Sequence, residues 1–399
     1  MSREIFTRVK GRSPAYLALI GGLGLLVLLG LASAWTMEHQ GHVITGMSNR
    51  IVWGVPHVFA VFLIVAASGA LNVASISSVF GRKAYKPLAR LSVVVAIALL
   101  IGGLTVLVLD LGRPDRLIVA VTTYNFRSIF AWNIYLYVGF IAIAGVYLWL
   151  MMERSKNQYA KTAGLMAFVW RLALTTGTGS IFGFLVARQA YDAAVMAPLF
   201  IAMSFAFGLA IFLLIVMVSA AGTGRELGDG NVRRMKNLLG VFVAAVLYFT
   251  VVQHLTNLYA PEHHAVERFI LLDGGIYTSL FWGGQIVVGG LLPLILIYTP
   301  LFSDSRQAIV LAALSVIAGG LSQLYVIIIG GQAFPLILFP GKTVQSSFAD
   351  GVVASYSPSL PEIGLGIGGI AMALVIVAMA VKILALLPQS LADAETDAT

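Results

Sequence analysis

Residues 90–110 read RLSVVVAIALLIGGLTVLVLD, and residues 111–116 continue LGRPDR. Positions 91–109 carry no charge; wound as a helix at 1.5 Å per residue they are about 28 Å long, close to the hydrocarbon thickness of a bilayer. No water is present at that depth to satisfy a free amide, so such a run commits to a helix that bonds internally. Gly112 and Pro114 then end it, the first by letting the chain turn away and the second by preventing continuation. Scanning outward for runs of the same kind gives spans near 15–36, 52–78, 90–110, 129–152, 164–187, 194–221, 238–259, 276–299, 307–329 and 363–386. The pattern predicts an all-α polytopic membrane protein, a single integral membrane domain over 1–399 with ten transmembrane helices. Spans two to five and six to nine are expected to form two four-helix bundles, with flanking helices beside them. Residues 330–362, with prolines at Pro335, Pro340, Pro358 and Pro361, are expected to form an outer cap loop.

Composition narrows the function. Of 399 residues 59% are hydrophobic and 11% charged, with mean hydropathy +0.94, against roughly 25% charged in soluble domains; a soluble globular protein is excluded. The net charge is +8, but the basic residues are dispersed among short connections, which excludes a nucleic-acid binder. Cysteine is absent, so the chain itself carries no iron–sulfur cluster, thiolate metal site, covalently attached haem or disulfide. Its 41 glycines read as close helix–helix packing.

Lysine and arginine set the orientation. One set of connections holds 16 of them, from Arg3, Arg8, Lys10 and Arg12 to Arg306; the other holds Arg50, Arg113, Arg116, Arg127, Arg188, Arg268 and Lys342. The positive-inside rule therefore places both termini in the cytoplasm, with the chain in the inner membrane. Ala32-Ser33-Ala34 resembles a signal-peptidase site, but the preceding apolar run is longer than a signal core, so an uncleaved first helix is expected.

Ionisable groups inside a membrane are costly, and each is a functional candidate. On this topology His57, Asp110, Asn133, His254 and the Arg188/Asp192 pair share one level near the outer surface. Quinol oxidation needs such a layer, because the isoprenoid tail stays in lipid while the ring oxygens need a donor and a proton acceptor at the headgroup boundary. A neutral imidazole beside a carboxylate supplies both. Plainer readings stand beside this one. A lone intramembrane histidine serves as a hydrogen-bond link between helices, and Asp110 forms a helix-end salt bridge with Arg113 or Arg116. Trp53, one turn before His57, either belongs to the interfacial aromatic belt or stacks on a quinone ring. Arg171 and the hydroxyls of Thr175, Thr176, Thr178 and Ser180 line a proton path or a packing stripe. Two other classes are a haem-b carrier ligated by His57 and His254 and a secondary transporter.

The stretches Trp53-Gly54-Val55-Pro56-His57, Leu109-Asp110-Leu111-Gly112-Arg113-Pro114-Asp115-Arg116 and Asn125-Phe126-Arg127-Ser128 with Trp132 resemble the NrfD/PsrC family of integral membrane subunits. The length, and Tyr356-Ser357-Pro358-Ser359-Leu360-Pro361-Glu362-Ile363 before the last span, are similar to its ten-helix branch, which includes the hydrogenase-2 membrane subunit and DsrP-type subunits of sulfur metabolism. The resemblance implies a redox-complex subunit that exchanges electrons between menaquinone or ubiquinone and a ferredoxin-like iron–sulfur subunit on the outer face, without haem or metal of its own. It implies a quinone pocket built partly by His57, with Asp110, Arg113 and Arg116 near that pocket and the docked partner. Trp53, Asn133 and His254 join the candidate set on position alone.

Overall fold

The computed structural model describes residues 5–336 and 351–392. Arg3, Pro340, Lys342 and much of the expected cap lie outside them. Ten helices long and apolar enough to cross a membrane are present: α1 Pro14–Gln40, α2 Val55–Ser78, α3 Lys83–Leu109, α4 Ile129–Met152, α5 Arg154–Gly183, α6 Met196–Thr223, α7 Asp229–Tyr259, α8 Ile276–Tyr298, α9 Arg306–Ala333 and α10 Leu360–Ile383. Each matches one run of the sequence. Starts differ most at α5 and α7, where the charged segments Arg154–Tyr159 and Asp229–Lys236 are already helical; hydropathy registers only the apolar part of a helix. At its end α9 continues through Gly330-Gly331 to Ala333, so the expected cap begins later than residue 330.

Packing follows the expected division. Helices α2, α3, α4 and α5 contact one another as one group, and α6, α7, α8 and α9 as a second, joined where α6 packs on both α2 and α5. The outer helices α1 and α10 pair with each other, and α10 packs on α2 and α3. Close approach is made by glycine: a Cβ on Gly69 of α2 would overlap the Ser204 carbonyl of α6, and one on Gly208 would meet the Gly69–Ala70 backbone. Lipid offers no hydrophobic drive between helices, so this backbone-to-backbone contact supplies the dispersion energy that holds the bundles together.

A single break interrupts α2 at Leu71. Ser92 of α3 inserts its hydroxyl there, donating to the Ala70 carbonyl at 2.7 Å and accepting from the Ala74 amide at 3.1 Å; a side chain that enters the helical ladder is a recognised cause of a kink. The described ends of the chain meet as strands β1 Phe6–Thr7 and β2 Leu387–Pro388, paired antiparallel with Phe6 opposite Pro388. An even number of spans brings them to the same end of the bundle. The Leu-Gly-Arg-Pro turn lies at the other.

Candidate functional site

Gly54 and Pro56 open α2, where a missing proline N–H costs nothing because first-turn amides have no helical partner. That leaves His57 in the first turn. Asp110 follows the last residue of α3 and closes it, its N–H bonded to the Val106 carbonyl. Since α2 and α3 are antiparallel neighbours, the start of one meets the end of the other. His57 Nδ1 lies 2.8 Å from Asp110 Oδ2, with 18% of the imidazole and 1% of the carboxylate side chain exposed. The contact is close but is not aligned as a hydrogen bond, and Asp110 Oδ1 has no partner. Burying a carboxylate costs several kcal/mol unless a donor or opposite charge faces it; among the described residues His57 is the side chain that does so. The pair therefore combines a proton-exchanging ring with an acceptor whose bonding capacity is unfilled.

One aromatic ring lies against the imidazole and is itself packed on two others. Trp53 stacks on His57 at 6.0 Å between centroids, sets its edge against Phe182 at 5.9 Å and leans on Phe130 at 5.7 Å. The backbone leading into α2 is fixed from α9: Gln332 Oε1 accepts from the Val52 and Trp53 amides at 2.9 and 3.0 Å, while its Nε2 donates to the Trp53 carbonyl at 2.9 Å. Arg188 donates to the Gln332 and Arg50 carbonyls, so it braces this junction instead of pairing with Asp192. In the segment before α10, Tyr356 accepts the Val55 amide at 2.7 Å and donates to Glu362 Oε1 at 2.6 Å, and Glu362 Oε2, on the first turn of α10, accepts from the Gly46 and Ser359 amides. Burial first, and the Glu362 carboxylate next, push the Tyr356 phenol above its usual range. The His57 turn is thus anchored by two helices distant in sequence.

The other candidates divide. Arg113 pairs with Asp115 at 3.1 Å in solvent, which holds the Asp115 carboxyl below the usual carboxylate range. Arg116 is exposed. The helix-end salt bridge with Asp110 is therefore not formed; the histidine takes that place. Asn133 joins α4 to α5: its amide donates to the Ile129 and Gly177 carbonyls, and its Oδ1 lies 3.4 Å from Thr178 Oγ1. His254 is not part of the His57 group either. Its Nδ1 lies 2.6 Å from Glu267 Oε2, in the second bundle.

Arg171 is buried with its guanidinium over the rings of Phe168 and Phe205 at 4.9 Å and one donation to the Ser68 carbonyl. Thr175 donates to the Arg171 carbonyl, with Ser68 Oγ 2.6 Å from its hydroxyl, and Thr178 donates to the Leu174 carbonyl. These hydroxyls are closed into local bonds, as a packing stripe requires. Sequence reasoning missed Gln332, Tyr356, Glu362 and Glu267. The last two are acids buried at helix starts, and the Ser-x-x-Glu spacing of Ser359 and Glu362 is a capping box visible in the sequence.

Ten helices of membrane-spanning length, with a histidine–carboxylate contact where α2 begins and α3 ends, define a polytopic membrane protein. The model of the polysulphide reductase NrfD family matches residues 43–336, and the chain belongs to that family. It is 30% identical over 387 residues to the Hdr-like menaquinol oxidoreductase integral membrane subunit of Archaeoglobus fulgidus, covering 96% of this chain and 97% of the relative. It is 27% identical to a putative dimethyl sulfoxide reductase membrane subunit of Halobacterium salinarum, over 92% and 91% of the two proteins. A polysulfide reductase component of Wolinella succinogenes is 24% identical, over 72% of this chain and 96% of that protein.

Proposed function

We propose that the chain is the membrane anchor of a multisubunit redox complex and exchanges electrons between menaquinone or ubiquinone and an iron–sulfur partner, at a site formed by His57, Asp110 and Trp53. The observation that carries this reading is the 2.8 Å contact between a half-buried imidazole and a buried carboxylate at the rim of a membrane bundle. The residues fit a quinol ring. His57 Nδ1 is turned to Asp110, its Nε2 has no protein partner among the described residues, and Asp110 Oδ1 is an unfilled acceptor. A ring hydroxyl donating to His57 gives up its proton to the imidazole, and the facing carboxylate stabilises the cation that forms. Oxidation of one quinol releases two protons and two electrons; the electrons leave to the partner cluster and the protons to the aqueous rim. Reduction runs the same steps in reverse.

The excess of lysine and arginine at the opposite end favours a periplasmic position for this rim, with both termini cytoplasmic in an inner membrane. The partner then docks as a ferredoxin-like subunit on the loops 111–128 and 260–275, where Arg113, Arg116 and Arg268 are exposed. The Wolinella and Archaeoglobus relatives, with the Leu-Gly-Arg-Pro element and the ten-helix length, favour a DsrP-like or hydrogenase-2-like subunit, with sulfur metabolism as the setting. A haem-b carrier ligated by His57 and His254 is disfavoured, since these residues lie in different bundles and each turns its Nδ1 to its own carboxylate. The test is His57→Ala in the assembled complex: quinol-dependent reduction of the partner cluster falls at least a hundredfold. An unchanged rate overturns the assignment.

A further inference from the structure

The second bundle carries its own histidine–carboxylate pair. Glu267 is fully buried on the short helix after α7, with Oε2 bound to His254 Nδ1 at 2.6 Å and Oε1 to Asn257 Nδ2 at 2.7 Å. The edge of Phe281 covers the imidazole at 4.8 Å. This acid, unlike Asp110, has both oxygens bonded. What distinguishes the place is the space beneath it. A cavity of about 20 Å³ is lined by Gln253, His254, Phe281, Gln285 and Gln323. A second, of about 10 Å³, is lined by Thr250, Gln285 and Gln323 with Phe207 and Gly320. The two share both glutamines.

Space of this size admits single water molecules, and a polar lining decides whether it is wet or dry. Gln253 is 6% exposed, Gln285 7% and Gln323 2%. Gln285 and Gln323 each donate to Thr250 Oγ1 at 3.3 Å; among the described residues no protein donor meets their carbonyl oxygens, and the Gln253 amide makes no bond. Buried amides with unfilled capacity cost about 1–3 kcal/mol each unless water completes them. Backbone geometry is unusual at the same place: residues Leu280–Leu291 and Val326–Gly330, which carry several lining side chains, are wound as π-helix, a form concentrated at functional sites. Thr250 stands nine residues before the end of α7, roughly 14 Å along the helix and about half the depth of the hydrocarbon layer.

We infer that the second bundle holds a hydrated proton-exchange site, in which the His254–Glu267 pair trades a proton with water molecules held by Gln253, Gln285, Gln323 and Thr250. A hydronium arriving from the rim leaves its proton on His254 Nε2 and remains as water, and the Glu267 carboxylate balances the charge. The groups around the pair leave it alone to do so. His263 and His264 face the Gln189 and Leu258 carbonyls, Arg268 is bound to Asp273 in solvent, and α8 and α9 present only the neutral glutamines to the pocket.

The site is separate from the proposed quinone group, and its test is arranged to keep the two apart. An experimental map of the assembled complex, at a resolution that displays ordered water, is expected to place water against Gln253, Gln285 and Gln323. Infrared difference spectra of the same complex across pH steps are expected to contain an imidazole band that moves in D₂O and disappears in His254→Gln, with an accompanying carboxylate change that disappears in Glu267→Gln. Gln285→Leu combined with Gln323→Leu is expected to remove the water while quinol-dependent reduction of the partner stays within about twofold of wild type. Dry pockets in the wild-type map, or no His254 band responsive to pH and D₂O, overturn the inference whatever the quinone site does.

Discussion

Asp110→Asn is the most informative single change, because the amide has the shape of the carboxylate and differs in charge. In the native protein the carboxylate lies 2.8 Å from His57 Nδ1 with 1% of its side chain exposed. Two unit charges at that distance attract by roughly 6 kcal/mol at an effective dielectric constant near 20, and desolvation of both groups cancels part of that. If about half survives when His57 holds the proton it has received, the substitution removes about 3 kcal/mol from the step that deprotonates quinol, a loss of about a hundredfold at 1.36 kcal/mol per tenfold. That lies at the lower end of the range for a positioned acid–base group. The assay is quinol-dependent reduction of the partner cluster, followed by absorbance in the complex reconstituted in liposomes, with subunit stoichiometry and thermal midpoint checked on the same preparation. A rate within threefold of wild type in a fully assembled complex refutes the electrostatic role of Asp110.

Other substitutions separate structure from chemistry. Asn133→Ala is expected to lower stability by about 1–3 kcal/mol, since the Gly177 carbonyl loses a buried donor, and to leave the apparent KM for quinol unchanged; a raised KM with normal stability would return Asn133 to the site. Gly208→Leu forces a side chain into the α2–α6 crossing and is expected to abolish accumulation of folded protein, read by fluorescence-detected size exclusion. Gln332→Leu releases the Val52–Trp53 backbone and leaves a buried Trp53 carbonyl without its donor, so it should depress quinol turnover by about tenfold while the complex still assembles. Tyr356→Phe should cost about 1–3 kcal/mol of stability through its bonds to Val55 and Glu362. Because the folded Tyr356 phenol titrates above its unfolded value near 10, its contribution is complete below that pH and declines as pH rises past it. The thermal midpoint of wild type should therefore fall more steeply above pH 10 than that of Tyr356→Phe.

The ten spans were legible in the sequence because each is an apolar run as long as a bilayer is thick, broken inside only by Arg171 in the fifth and Lys382 in the tenth. The contact of His57 with Asp110 was legible in outline, since an antiparallel pair of helices brings the beginning of one to the end of the other. Depth alone could not separate His57 from His254: residues at one level in two bundles look the same to a hydropathy argument, and what divides them is Glu267, whose side chain is turned inward from a short helix with no apolar signature. Asn133 illustrates a related limit of depth. The rotation of α4 about its axis, which points the amide at the Gly177 carbonyl, is not encoded in distance from the helix end. Gln332 stayed hidden because Gly330-Gly331 reads as the end of a span, whereas α9 continues through both and delivers the glutamine to the backbone ahead of His57.

The central claim is that quinone binds at the rim where α2 begins. Photolabelling the assembled complex in native membranes with an azido-quinone, followed by peptide mapping, tests it directly. The account predicts adducts on the segment 52–59 and on the first turn of α4 around Phe130, suppressed by excess unlabelled quinone. Competable labelling confined to the second bundle, or to the end where β1 and β2 meet, would contradict it.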